Sequence, residues 1–199
     1  MDKRNDEKQM TNIIIKHKNK TVFLTQPLLK ELLIYDSLSG NVFWRDRGEK
    51  WFVDERSYNI FKTSFLMKQV KNVDGAGYYQ IPIFGKFFLS HRVIWLYVHG
   101  YWPENQIDHI NGNKLDNRIE NLRECTIAQN MHNSKPNKNA RIPYKGVYLR
   151  KDGMYISEIH NNNKKFWLGS FKTAEDAAKA YDEAAIKMHG EFAKINITG

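Results

Sequence analysis

Two turn signals between residues 147 and 163 separate three β-prone runs, and one alanine-rich helix follows them. Few folds accept that order. Val147–Arg150 leads through Asp152-Gly153 into Met154–His160, and Asn161-Asn162-Asn163 then turns the chain into Lys165-Phe166-Trp167-Leu168. Asp-Gly and Asn-rich turns tolerate the positive φ that tight hairpins need. Thr173, with Asp176 three residues on, has the form of a capped helix start. Ala174, Ala177, Ala178, Tyr181, Ala185 and Met188 share one face of the helix, up to Gly190. Small alanines let a helix lie close on a sheet, so three antiparallel strands covered by one helix are expected.

Strand alternation sorts the faces of that sheet. Val147, Leu149, Tyr155, Ile159, Phe166 and Leu168 should face the helix. Tyr148, Arg150, Ile156, Glu158, His160, Lys165 and Trp167 should face outward, as an aromatic and basic surface that calls for a ligand. Charge agrees: residues 134–170 hold eight Lys/Arg against two Asp/Glu, whereas 171–199 hold four against five.

The whole chain, 199 residues at a formal charge of +9, is long enough for one or two small domains and points to a polyanionic partner. An aromatic content of 13% excludes a disordered basic tail protein. The single cysteine, Cys125, excludes an internal disulfide framework and a cysteine zinc site. No run has the length of a membrane span and the charged N-terminus is unlike a signal, so a cytoplasmic location is expected.

Upstream, residues 1 to about 20 read as a mobile polar tail. Pro27 sits in the first turn of an amphipathic run, Leu28–Leu33, that ends at Ser39-Gly40-Asn41, and Val42–Arg45 reads as a strand. Residues 46–72 mix aromatics with both charge signs, show no period, and receive no element. Tyr78–Ile83 and Phe87–Leu89 read as a hairpin turning at Gly85-Lys86, with Pro82 placing its first strand on an edge. Ser90 is the expected N-cap of a helix over 91–99. Residues 134–143 (SKPNKNARIP) read as a flexible linker.

The chemistry concentrates in Gln106–Asn133. Asn111-Gly112 signals a type I′ turn between strands Gln106–Ile110 and Ile119–Arg123. Thr126 and Gln129 form a capping-box pair, which starts a helix with Asn130 in its early turns. His109, neutral near physiological pH, can deprotonate a water for attack on phosphorus. Asp108 and Asn130 offer a carboxylate and an amide oxygen, donors suited to one Mg²⁺ or Mn²⁺ ion. Asn121 can hold the imidazole or its supporting loop. Adjacent strand residues face opposite sides, so an irregularity is expected at 108–110 if Asp108 and His109 share a cleft. His91 is assigned packing or support. His132 could approach a metal, but Asn130 has the better spacing.

Residues 91–133, from His91-Arg92-Val93-Ile94-Trp95 through Asp108–Asn113, Asp116-Asn117-Arg118, Asn121-Leu122-Arg123 and Asn130–Asn133, resemble the HNH endonucleases of phages and mobile introns. The resemblance implies a ββα-metal fold with His109 as base, Asp108 and Asn130 as metal ligands and Asn121 as the central asparagine. Residues 144–196 resemble AP2/ERF DNA-binding domains, through Tyr144-Lys145-Gly146-Val147, Trp167-Leu168-Gly169-Ser170-Phe171, Ala180-Tyr181-Asp182 and Asn196 among others. That likeness implies DNA contacts from the outward set: Tyr148, Arg150, Glu158, His160, Lys165 and Trp167. Positions that are commonly arginine in plant members read Tyr148, His160 and Lys165, and a common tryptophan reads Asp152. The plant target is therefore not carried over, and Arg150 is the best candidate for base contact.

The expected class is α+β: a mixed leader (21–90), a ββα-metal unit (91–133), the linker (134–143) and an AP2/ERF-like reader (144–196). The expected function is metal-dependent, site-selective DNA cleavage of the homing type. Its partner is double-stranded DNA, with no membrane and no obligatory protein partner. A DNA-binding regulator with an inactive nuclease unit, or a restriction or packaging nuclease, are the alternatives.

Overall fold

Three isoleucines at 13–15 draw the polar N-terminal region into a sheet, because Ile15 finds a fully buried position. The computed structural model describes residues 13–18, 20–134, 136 and 140–197. Strands β1 (Ile13–His17) and β2 (Lys20–Leu24) form an antiparallel hairpin. The expected tail therefore gives way to a strand at residue 13, while residues 1–12 lie outside the described residues. The chain divides into two compact units, with the boundary between Glu124 and Cys125.

In the first unit, α1 (Gln26–Leu32) is capped by Thr25, whose side chain accepts from the Leu28 amide. Leu33 leaves the expected helix: Leu33–Asp36 is strand β3, paired with β4 (Asn41–Trp44). The unassigned stretch contains α2 (Glu55–Ser64), started by a reciprocal capping box between Asp54 and Ser57. Strand β5 (Asn72–Val73) joins β6 (Tyr79–Ile83) and β7 (Lys86–Leu89) in the order β5-β6-β7. The β6–β7 turn is at Phe84-Gly85, both with positive φ. Strand β6 is thus central rather than an edge, but β5 covers only Tyr79 and Gln80, so Pro82 removes no bond from that side.

Helix α3 (Ser90–His99) begins one residue earlier than expected, with Leu89 as its N-cap and Ser90 buried inside it. Strands β8 (Gln106–His109) and β9 (Leu122–Cys125) pair antiparallel. Ile107 and Leu122, one from each strand, belong to the same core as Leu29, Leu32, Ile81, Ile83, Val93 and Ile94. The leader and the β8–β9 hairpin therefore fold as one body.

The second unit holds α4 (Ile127–His132) and the antiparallel sheet β10 (Val147–Leu149), β11 (Tyr155–Asn161) and β12 (Lys164–Phe171), in that spatial order, packed against α5 (Ala174–His189). Val147, Ile159, Ala177, Ala178, Tyr181 and Ala185 make the buried contacts. A bulge opposite Ser157/Glu158 sets Trp167 against Glu158 but Gly169 against Ser157. The extra residue shifts the alternation, so Leu168 and Phe171 both pack toward the helix clusters. Phe166, expected inward, is 39% exposed, because only its β11 neighbour Ile159 reaches the α5 cluster.

Candidate functional site

The chain around His109 is shaped by side chains that bond to nearby backbone. Strand β8 stays regular through Asp108 and His109 and turns at Ile110, where the Gly112 amide donates to the His109 carbonyl (2.7 Å). Gly112 has a φ of +70° but Asn111 does not share the left-handed region, so the turn is not type I′. A longer loop runs to Asn121 instead. The Asn113 amide donates to Asn111 Oδ1 (2.8 Å), and Asn111 Nδ2 donates to Asp116 Oδ2 (2.7 Å). Such local bonds compete with hairpin pairing and explain the departure.

Asn121 is the buried centre of this loop. Its Oδ1 accepts from the Asn111 amide (3.0 Å), and its Nδ2 donates to the Asp116 carbonyl (2.8 Å) and to Asn111 Oδ1 (3.1 Å). Of the two roles open to it in the sequence, these bonds are those of a loop support. Asp116 is fixed in turn by Arg118, which donates from Nε and Nη2 (2.9 and 2.7 Å) and, as the largest cause, holds the carboxyl down at about 2.

The imidazole is held by Asn117. His109 Nε2 lies 3.0 Å from Asn117 Oδ1, and both residues are buried. An amide oxygen only accepts, so Nε2 carries the ring proton and the basic lone pair is at Nδ1. Burial pushes the His109 pKa below its ordinary value, opposed by the Asn117 bond and by Asp108 and Asp116. The imidazole is therefore neutral at physiological pH. His91 packs edge-on to His109 at 5.1 Å and to Tyr78 at 5.2 Å. Burial, then the nearby His109, lowers its pKa to about 3, so it packs as a neutral ring.

Asn117 is held from the leader. Tyr35 Oη donates to the Asn117 carbonyl (3.0 Å) and accepts from the Ile119 amide (2.9 Å). Gly40, with φ +72°, lies so close that a Cβ there would overlap the backbone of Asn117 and Arg118. Nothing in the sequence singles out Asn117 or Tyr35 for this role, and Gly40 reads there only as part of the turn that ends the first amphipathic run. The Asp116-Asn117-Arg118 run marked the neighbourhood, but an 82-residue separation hid the tyrosine.

Asp108 takes a different partner. Arg123 donates from Nε (2.9 Å) and Nη2 (2.8 Å) to Asp108 Oδ2, in an ion pair almost wholly withdrawn from water. Asn130 is half-buried on α4 in the second unit, where Thr126 and Gln129 complete the expected capping box. Among the described residues no group of three or more His, Cys, Asp or Glu is placed to hold a metal. Taken singly, a carboxylate and an amide oxygen are each donors that a hard cation such as Mg²⁺ accepts, with water and phosphate completing its shell.

His132 stacks on His189, with centroids 3.6 Å apart and an interplanar angle of 6°. Lys145 Nζ donates to the carbonyls of Met131 (3.0 Å), His132 (2.6 Å) and Ser134 (2.9 Å), closing the end of α4. The unit that contains the sheet therefore begins at Cys125 and includes α4, and Ile142 of the expected linker packs on its core.

On the outer face of that sheet, Trp167 is 67% and Tyr148 51% exposed. Arg150 pairs with Asp152 (2.8 Å) and Lys165 with Glu158 (3.0 Å). His160 is exposed, and its carbonyl lies 3.0 Å from His189 Nε2. Exposed ion pairs contribute about 0–1 kcal/mol, so both cations remain available to a phosphate or a base.

Residues 88–132 match the HNH endonuclease family, and residues 143–191 match the AP2 domain family. The chain joins an HNH endonuclease domain to an AP2 domain. Over the AP2 part it is 48% identical across 62 residues to dehydration-responsive element-binding protein 2E of Oryza sativa subsp. japonica, covering 30% of this chain and 20% of that protein. It is 46% identical across 56 residues to ethylene-responsive transcription factor ERF010 of Arabidopsis thaliana, covering 27% of this chain and 30% of that protein. The chain thus spans about a fifth to a third of the length of these relatives. Among solved structures it is similar to the HNH homing endonuclease I-HmuI, at 20% identity and a TM-score of 0.36, covering 79% of this chain and 85% of that one. No helix among the described residues is long and apolar enough to cross a membrane.

Proposed function

We propose that this chain is a metal-dependent, site-selective DNA endonuclease of the homing type, carried by a phage or mobile element and acting in the cytoplasm of its host. The bond between His109 and Asn117 supports this most, because it fixes the tautomer a general base needs. His109 Nδ1 takes a proton from water, the water oxygen bonds to phosphorus, and the P–O3′ bond breaks. The leaving oxygen is protonated from solvent. Asp108 and Asn130 would hold a Mg²⁺ or Mn²⁺ ion, whose charge would stabilise the negative charge that develops on the phosphate. Asn121 and Asn117 keep the loop and the ring in place, and the AP2 sheet selects the site through Tyr148, Arg150, Glu158, His160, Lys165 and Trp167. The functional division is 91–133 for cleavage and 144–196 for reading.

The test is nicking of supercoiled plasmid carrying the target, with Mg²⁺, with Mn²⁺ and with EDTA. Cleavage with either metal and none in EDTA is expected. One observation favours a second reading, a DNA-binding regulator with an inactive nuclease unit: Arg123 already neutralises the Asp108 carboxylate. Binding without nicking under every metal condition would support that reading.

A further inference from the structure

Arg47 sits in an aromatic cage. Its guanidinium carbon lies 4.5 Å from the centroid of Phe61, 4.7 Å from Phe52 and 5.1 Å from the Trp44 ring. Its Nε is buried without a hydrogen-bond partner. Among the described residues no carboxylate pairs with it. Ring faces offset only part of the cost of drawing a cation out of water, so an anion is the missing component. Burial pushes its pKa down to about 10, which leaves it charged at neutral pH.

Arg47 lines a cavity of about 670 Å³ in the first unit, within the ordinary range for small-molecule and cofactor sites. Trp51, Phe65 and Phe84 add ring surface, Lys68 and Lys71 add exposed cations, and no aspartate or glutamate lines it among the described residues. Val53 and Ile60, two more lining residues, are also exposed. Rings and cations without acids suit a nucleotide, which lays its base on a ring and its phosphate on a cation. A base inside a duplex hides both of its faces, so the ligand must be unstacked.

We infer that this cavity binds an unstacked nucleotide of the DNA, with its base against the aromatic wall and its phosphate on Arg47, Lys68 and Lys71. Only the source of the nucleotide rests on the endonuclease reading. A free nucleotide has the same chemistry, so the test separates the two. Residues 46–72 then become a second DNA-contacting region, one that senses an extruded base rather than a paired sequence.

The full-length protein is titrated in EDTA with a labelled duplex carrying one unpaired adenosine, and with the same duplex fully paired. The bulged duplex should bind at least about tenfold more tightly, and Arg47→Met should abolish that preference while circular dichroism stays unchanged. Should Arg47→Met fail to fold, the exposed pair Lys68→Ala/Lys71→Ala decides, with the preference expected to fall at least about threefold. Competition by deoxyadenosine monophosphate would support the site and admit the free nucleotide as a ligand. Equal competition by inorganic phosphate would overturn it, since no base would then be needed. Equal affinity for the two duplexes, or a full preference in either folded variant, would overturn it as well. These are binding readouts, so a failure to cleave DNA leaves them interpretable.

Discussion

His109 donates its Nε2 proton to the Asn117 side-chain oxygen across 3.0 Å, and the two residues are eight apart in sequence. That bond orients the buried imidazole from the loop beside it and sets which ring nitrogen carries the proton. Asn117→Ala should therefore lower the nicking rate about 10–100-fold while DNA affinity stays within about twofold. Single-turnover nicking and filter binding on the same preparation check it. An unchanged rate would remove Asn117 from the account.

The leader supports that asparagine. Gly40→Ala places a Cβ against the Asn117–Arg118 backbone at a φ of +72°. It should lower stability by more than about 1 kcal/mol and slow nicking more than it weakens binding. Thermal melting alongside the nicking assay tests both parts, and a fully stable, fully active variant would contradict the proposed support.

Acid should act on the site with a definite sign. A histidine whose folded pKa is depressed is neutral above its unfolded value and takes up protons preferentially on unfolding below it. For His91 the penalty is absent above about 6.5 and grows as pH falls toward about 3. The melting temperature should fall through that window, and His91→Gln should flatten the fall. For His109 the shift is also downward, so nicking should persist below pH 6.5 and disappear only in stronger acid. A wild-type slope in His91→Gln would refute the first expectation. Loss of nicking at or above pH 6.5 would refute the second.

The reading face makes a separate claim. Arg150→Lys keeps the charge but loses the guanidinium fork, so it should cost about 1–3 kcal/mol of binding to the cognate site and relax specificity there. Trp167→Ala, at an exposed position, should weaken DNA binding yet change stability by no more than about 0.5 kcal/mol. Competition binding with cognate and scrambled duplexes decides both, and an unchanged ratio for Arg150→Lys would place base recognition elsewhere.

The AP2 sheet and its helix were legible because turn chemistry, alternation and an alanine face all pointed the same way. Phe166 lies opposite the buried Ile159, on the face that alternation expects, yet no helix residue covers it and it stays 39% exposed; the bulge acts further along β12, where it turns Phe171 toward the helix, and alternation alone cannot show a bulge. The strand at residues 13–17 is hidden in the sequence because its three isoleucines stand among charged neighbours. Asp108, His109, Asn121 and Asn130 were named from chemistry and spacing, but Asn117, Tyr35 and Arg123 were not. Their roles come from contacts that side-chain type does not announce: an amide on a ring nitrogen, a phenol bridging two backbone groups, and an arginine on a candidate ligand. The separation of α4 from β8 into different compact units was likewise hidden, since the expected linker lay further along the chain.

The central claim is that His109 performs the chemistry on DNA delivered by the AP2 domain. Single-turnover nicking of a target plasmid in Mg²⁺ by wild type and by His109→Ala, with DNA affinity measured in parallel, tests it most directly. The account predicts wild-type affinity with a rate at least about 100-fold lower. Nicking by His109→Ala at the wild-type rate would contradict it.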